Sequence, residues 1–239
     1  MGQRSKKEIH DGCEARTRQL TVQAQRFLEA GKDREYRNME ISKKEICTGA
    51  NIHRGYYCPS PVFDLLVGNT HRGRLLLRPN CRTRSSHTYH FGAQGELLYV
   101  ESPGAVEYLV REQCCRYGYS FAPYGLVAVT MEVYRDGKIS ECLRSLVSPY
   151  ALKEGLLHGD ATYETYSYEG DRLAICDQYF VAFGHPEIVN TAKYRFRYEE
   201  DHVTGFWFLR EDGSLRFEEP CPCKPRNLSK MILDEGKAL

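Results

Sequence analysis

Polar and apolar residues alternate strictly between residues 193 and 198, which is the period of a β-strand. The apolar positions are Tyr194, Phe196 and Tyr198. Since successive side chains of a strand point to opposite faces, we expect these rings to be buried and Arg195 and Arg197 to be exposed. Similar aromatic and β-branched runs fill the rest of residues 163–219 between short polar turns. This stretch therefore predicts about five antiparallel strands.

Hairpin signals also precede this stretch. Residues 87–91 and 96–101 flank a Gly-Ala-Gln-Gly turn, and residues 126–134 and 138–147 flank an Arg-Asp-Gly turn. Residues 62–67 and 74–78 predict two shorter strands. Because Gly and Asp accept the backbone angles that tight hairpins need, the chain predicts an antiparallel meander of roughly eight to eleven strands.

Two segments instead carry apolar residues at the three- and four-residue steps of a helix. The first covers residues 3–46, where we expect amphipathic helices that cover one face of the sheet. The second is residues 103–111, which predict a short helix. Its apolar positions are Val106, Leu109 and Val110.

These elements predict an α+β fold that is mainly β, with an N-terminal helical segment packed on a large antiparallel meander sheet. The expected division places the helical segment in residues 1–50 and the sheet domain in residues 51–220. Pro220, Pro222 and Pro225 end the last strand, so residues 221–239 are expected to form a C-terminal tail.

One local pattern recurs at the predicted hairpins: an aromatic residue precedes a Gly or Asp turn, and an aliphatic residue follows it. The pairs are Phe91 and Leu97, Tyr134 and Ile139, and Tyr168 and Leu173. With the phrase HTYHFGAQGELLYVE, this pattern resembles the hairpins of bacterial YD/RHS-type repeats. Such meander sheets occur in polymorphic-toxin systems, both in toxin shells and in immunity partners. The resemblance implies an immunity-type protein that binds a toxin domain, and it implies no catalytic signature.

Composition excludes several classes of protein. The 239 residues carry a net charge of +1, so the chain has no overall field that would attract nucleic acid or a membrane. Apolar runs stay well below the ~18 residues of a membrane span, and the first residues lack the apolar core of a secretory signal. Ten cysteines without such a signal are typical of reduced thiols in the cytoplasm. We therefore expect a cytoplasmic protein that does not bind membranes.

The sequence predicts no metal, no cofactor and no catalytic residue. Cys221 and Cys223 are separated by one residue, whereas zinc sites usually join two well-spaced ligand pairs. Adjacent Cys114 and Cys115 are expected to be one buried and one exposed thiol. Glycine-rich phosphate loops and the HExxH motif are absent from the sequence. The alternative is a hydrolase-type enzyme whose site has no recognisable motif.

The most unequal distribution of charge lies in residues 71–90, which contain five arginines, three histidines and no acid. Arginines of this kind bind phosphate or carboxylate through paired hydrogen bonds, which leaves a nucleic-acid-binding module as a further alternative. Interfaces concentrate their binding energy in Trp, Tyr and Arg. We therefore predict a non-catalytic protein-binding module, possible partners being a toxin domain or another acidic protein. The predicted binding residues are Arg72, Arg74, Arg82, Arg84, Arg195, Arg197 and Trp207.

Overall fold

The computed structural model describes residues 5–48, 57, 74–76, 86–200, 202–210 and 212–220. The helices in these ranges are α1 (Lys6–Glu29), α2 (Lys32–Asn38) and α3 (Pro149–Lys153). The first strands are β1 (Lys43–Thr48), β2 (Arg74–Leu75), β3 (Ser86–Phe91), β4 (Leu97–Ser102), β5 (Ala105–Glu112), β6 (Cys115–Ala122) and β7 (Gly125–Arg135). They are followed by β8 (Lys138–Val147), β9 (Gly159–Glu169), β10 (Arg172–Ala182), β11 (Val189–Glu199), β12 (His202–Leu209) and β13 (Leu215–Pro220).

All of these strands belong to one antiparallel sheet in the order β13-β12-β11-β10-β9-β8-β7-β6-β5-β4-β3-β1-β2. From β3 to β13 each strand pairs with its neighbour in the chain, which is the predicted meander. The fold class is therefore confirmed, and the described strands number thirteen rather than eight to eleven. Asp136 and Gly137 both have positive φ in the turn between β7 and β8, as a two-residue hairpin turn of type I′ requires.

Helix α1 covers one face of the sheet, here called the helix-covered face. Ser5 caps the helix: its hydroxyl accepts a hydrogen bond from the Glu8 amide at 3.2 Å, and the Glu8 carboxylate accepts one from the Ser5 amide at 2.7 Å. The buried stripe follows helical spacing and comprises Ile9, Cys13, Thr17, Leu20, Ala24 and Phe27. It packs against β7, β10 and β11. Burial of each large apolar side chain in this stripe contributes about 1.5–3 kcal/mol to folding.

A second core lies on the opposite face of the sheet. It contains Tyr134, Tyr166, Tyr194, Phe196 and Phe206, together with buried aliphatic and cysteine side chains from β8 to β12. The sheet thus buries side chains on both faces, so an apolar residue of one strand can be buried on either side.

Two helical predictions are wrong. Residues 105–112 form strand β5, and β-branched Val106 and Val110 pack on one face while Leu109 packs on the other. Residues 43–48 form strand β1, which pairs with β3 instead of extending the N-terminal helices. The predicted strand at residues 62–67 lies outside the described residues, as does the predicted tail at 221–239.

No helix in the described ranges is both long enough and apolar enough to cross a membrane. The domain division predicted near residue 50 stays a prediction.

Candidate functional site

A cleft of about 350 Å³ opens on β10, β11 and β12, next to the turn that joins β9 to β10. Its charged lining residues are Glu169, Arg172, Arg195 and Arg197, and Tyr198 and Trp207 are among its aromatic ones. Three guanidinium groups and one carboxylate therefore converge on a surface that aromatic rings also line.

Strand alternation places the arginines. Val189 packs with α1, so Arg195 and Arg197, at even steps along β11, lie on the helix-covered face near the other end of the strand. The aromatic residues between them turn to the opposite core, where Tyr194 is 7% and Phe196 5% exposed. Arg195 is exposed, as the sequence predicts, whereas Arg197 is only partly exposed.

Two β-bulges shape the cleft. Leu173 and Ile175 of β10 pair with the consecutive residues Tyr168 and Ser167, which makes Ala174 an additional residue in β10. In β12, Thr204 is the additional residue opposite Arg197 and Tyr198. Bulges bend a strand locally and re-aim the neighbouring side chains. Leu173, Ala174, Arg197 and Tyr198 all line the cleft, so the bulges position its walls.

The second bulge is held by the side chain of Arg197. Its Nε donates a hydrogen bond to Thr204 Oγ1 at 3.2 Å, and its Nη1 forms an ion pair with Glu218 of β13. These contacts hold the Arg197 guanidinium group within the sheet. They make the group less able to reach a ligand.

The other two arginines lie over aromatic rings. The Arg195 guanidinium carbon is 5.9 Å from the centre of the Trp207 ring, which β-sheet pairing places directly opposite it. The Arg172 guanidinium carbon is 5.7 Å from the centre of the Tyr198 ring, and Tyr198 in turn donates a hydrogen bond to the Leu173 carbonyl at 2.9 Å. A cation over a ring contributes about 0.5–1 kcal/mol at exposed sites and holds the side chain in place. Arg172 and Arg195 are both exposed at the cleft.

The structure brings together only some of the predicted binding residues. Arg195, Arg197 and Trp207 meet in the cleft, where Trp207 is partly buried. Arg74 begins β2, at the far edge of the sheet, so it does not join them. Arg72, Arg82 and Arg84 lie outside the described residues, as do Cys221 and Cys223.

Sequence reasoning missed Arg172. This residue directly follows the turn between β9 and β10, and only the pairing of β10 with β11 brings it over the Tyr198 ring and into the same cleft as Arg195. Tyr198 is partly buried rather than fully buried as predicted, because it forms one wall of the cleft.

A second group of titratable residues surrounds His90. Its Nε2 lies 3.0 Å from Glu101 Oε2, and its ring stacks on Tyr99 with centres 4.1 Å apart. Burial lowers the pKa of His90, although Glu101 acts in the opposite direction. The residue is only 3% exposed, so a substrate cannot reach the imidazole, and the pair does not support the hydrolase alternative.

The described cysteines are free thiols. Cys114 is exposed and Cys115 partly exposed, which corrects the expectation that one of them is buried. Within the described ranges, no group of three or more His, Cys, Asp and Glu side chains is placed to hold a metal ion.

No protein-family model matches this chain, and neither does a curated protein or a solved structure.

Proposed function

We propose that the chain is a non-catalytic protein-binding module that uses the cleft between β10 and β12 to bind an acidic segment of a partner protein. The observation that supports this function is the convergence of Arg172, Arg195 and Trp207 in one cleft. Arg, Trp and Tyr are the residues that dominate binding energy at protein interfaces.

The charge of the cleft selects the partner. Arg197 is paired with Glu218, and the two other arginines outnumber the single carboxylate of Glu169, which leaves a positive surface. A guanidinium group binds a carboxylate through two parallel hydrogen bonds. Aromatic rings beside the arginines provide apolar contact for the side chains that flank an acid. An extended acidic segment with aromatic residues satisfies both features.

The composition of the cleft also favours binding over catalysis. Among the described residues that line it, Glu169 is the sole carboxylic acid, and none is a histidine, cysteine or serine. Nucleophilic catalysis needs a nucleophile beside a base, and general acid–base catalysis most often uses a histidine or a carboxylic acid. The net charge of +1 likewise argues against a nucleic-acid partner.

The immunity-type role rests on the resemblance to YD/RHS-type hairpins. A meander sheet is the architecture that this resemblance implies, and a cytoplasmic location agrees with the free thiols of the described cysteines. On this proposal the acidic segment belongs to a toxin domain, and the toxin gene lies beside the gene for this chain.

A displayed peptide library, selected against the full chain and followed by titration calorimetry, tests the binding function. We expect the selected peptides to be rich in Asp, Glu and aromatic residues. The double variant Arg172→Glu, Arg195→Glu should weaken their binding at least about tenfold, because repulsion replaces two charge-assisted contacts.

A charge-matched control separates this effect from a general change in charge. Lys6→Glu with Arg34→Glu changes the net charge by the same amount at exposed helical positions and should leave binding unchanged. Peptides that bind the cleft variant and the wild type equally would contradict the proposed site. Thermal unfolding of both variants confirms that the fold is retained.

A further inference from the structure

The turn between β5 and β6 carries two neighbouring thiols whose sulfur atoms lie close together. Cys114 Sγ and Cys115 Sγ are 4.0 Å apart. In a regular strand the side chains of successive residues point to opposite faces. Here Cys114 belongs to the turn, so both sulfurs can approach one another from the same side.

The backbone holds this arrangement in place. Cys115 is the first residue of β6 and pairs with Glu112 of β5, and Gln113 has a positive φ of 52°. The Cys114 carbonyl accepts a hydrogen bond from the Tyr134 amide of β7 at 2.8 Å. The two thiols are thus presented by a turn that is tied to two strands.

We propose that Cys114 and Cys115 form a chelating site for a soft, thiol-seeking metal or metalloid ion, which both sulfurs bind together. Two thiolates that share a tetrahedral ion at about 2.3 Å each lie about 3.8 Å apart, close to the observed separation. A disulfide would instead require the sulfurs to approach to about 2.05 Å within a strained ring of adjacent residues. The geometry therefore favours chelation over oxidation.

Accessibility distinguishes this pair from the other described cysteines. Cys114 is exposed and Cys115 is partly exposed, whereas Cys13, Cys47, Cys142 and Cys176 are buried. Soft thiolate ligands select ions such as Cu(I) and Cd(II), and trivalent arsenic has the same preference for sulfur. Only two protein ligands are present at this turn, so an ion satisfied by two sulfurs fits better than a four-coordinate structural zinc.

Phenylarsine oxide is a suitable probe because it condenses with two thiols without oxidation or reduction. Two As–S bonds form, the As=O oxygen leaves as water with the two thiol protons, and arsenic stays trivalent. We expect Cys114 and Cys115 of the reduced full-length chain to take up one tightly bound equivalent, which removes these two thiols from the count. Peptide mass spectrometry should place the adduct on the peptide that contains Cys114 and Cys115.

Single-thiol variants test whether both sulfurs act. Cys114→Ser and Cys115→Ser should each weaken retention of the probe by about 10²-fold or more against a competing monothiol, because the second bond is no longer intramolecular. The variant Cys221→Ser, Cys223→Ser is the matched control and should keep the adduct. An adduct on the peptide that contains residues 114 and 115 would overturn the proposal if it survived in Cys114→Ser or was lost in the control. So would a stable disulfide between Cys114 and Cys115 in protein purified under mild reducing conditions.

Discussion

The buried ion pair between Arg144 and Glu164 allows a quantitative test of the core on the opposite face of the sheet. Both side chains are almost fully buried, at 1% and 0% exposed, and Arg144 Nη2 lies 2.9 Å from Glu164 Oε1. The same carboxylate accepts hydrogen bonds from Gln178 Nε2 at 2.7 Å and from the Tyr166 hydroxyl. Glu164 is therefore held by one cation and two neutral donors.

Replacing Arg144 with Met removes the cation and leaves the carboxylate among neutral donors. We expect the free energy of unfolding to fall by about 3–5 kcal/mol, since an uncompensated buried charge is among the most costly changes in a core. This loss is a large part of a total stability that is typically about 5–15 kcal/mol. The double variant Arg144→Met, Glu164→Leu removes both charges and leaves two neutral donors without an acceptor, which costs about 2–4 kcal/mol. The loss of stability in the double variant should be smaller than the sum of the losses in Arg144→Met and Glu164→Leu by at least about 2 kcal/mol.

Urea unfolding measures these differences, with the fluorescence of the single Trp207 and far-ultraviolet circular dichroism as two probes. If the two probes give coincident transitions, unfolding can be treated as a two-state process. The exposed pair between Arg18 and Glu14, at 2.8 Å, is the matched control, and Arg18→Met should cost only about 0.3–0.5 kcal/mol. A loss below about 1 kcal/mol for Arg144→Met, or strict additivity in the double variant, would refute the reasoning.

Two further predictions concern pH and backbone conformation. Burial lowers the pKa of His90, and Glu101, Lys44 and Arg37 are the charged groups that act on it. The unfolded chain therefore binds the proton more readily, so stability should be full above about pH 6.5 and decline as the pH falls below that value. Urea midpoints at several pH values should show this decline in the wild type and a smaller one in His90→Asn. Gly159 has φ 139°, and a Cβ there would lie 2.1 Å from the Leu146 carbonyl oxygen, so Gly159→Ala should cost at least about 1–3 kcal/mol. Gly12 in α1 has open space around it, so Gly12→Ala should instead stabilise by about 0.5–1 kcal/mol, and equal effects at the two sites would contradict this argument.

The hairpins could be predicted from the sequence because their signals are local. Asp136 and Gly137 have the positive φ that their residue types allow, and the strands on either side follow directly. The sequence predicts a helix at β5 because Val106, Leu109 and Val110 fit helical spacing. In a sheet that is buried on both faces they pack equally well as a strand. Periodicity cannot separate these two cases when both faces are covered.

Strand β1 shows a different limit. Residues 43–48 combine lysines and a glutamate with Ile46 and Cys47, a pattern that also continues a helix. Their conformation is decided by pairing with β3, which lies about forty residues further along the chain. Long-range pairing of this kind leaves no signal in the local sequence.

The cleft depends both on local sequence patterns and on long-range strand pairing. Alternation along β11 predicts that Arg195 and Arg197 share a face, but their availability to a partner depends on the neighbouring strands. Pairing with β12 places Trp207 opposite Arg195, and the bulge at Thr204 gives Arg197 a hydrogen-bond acceptor within the sheet. The two arginines therefore differ in role although they have the same residue type and the same face. Arg197 is held within the sheet by its ion pair with Glu218, whereas the guanidinium groups of Arg195 and Arg172 lie over aromatic rings, where we propose that they bind the carboxylate of a partner.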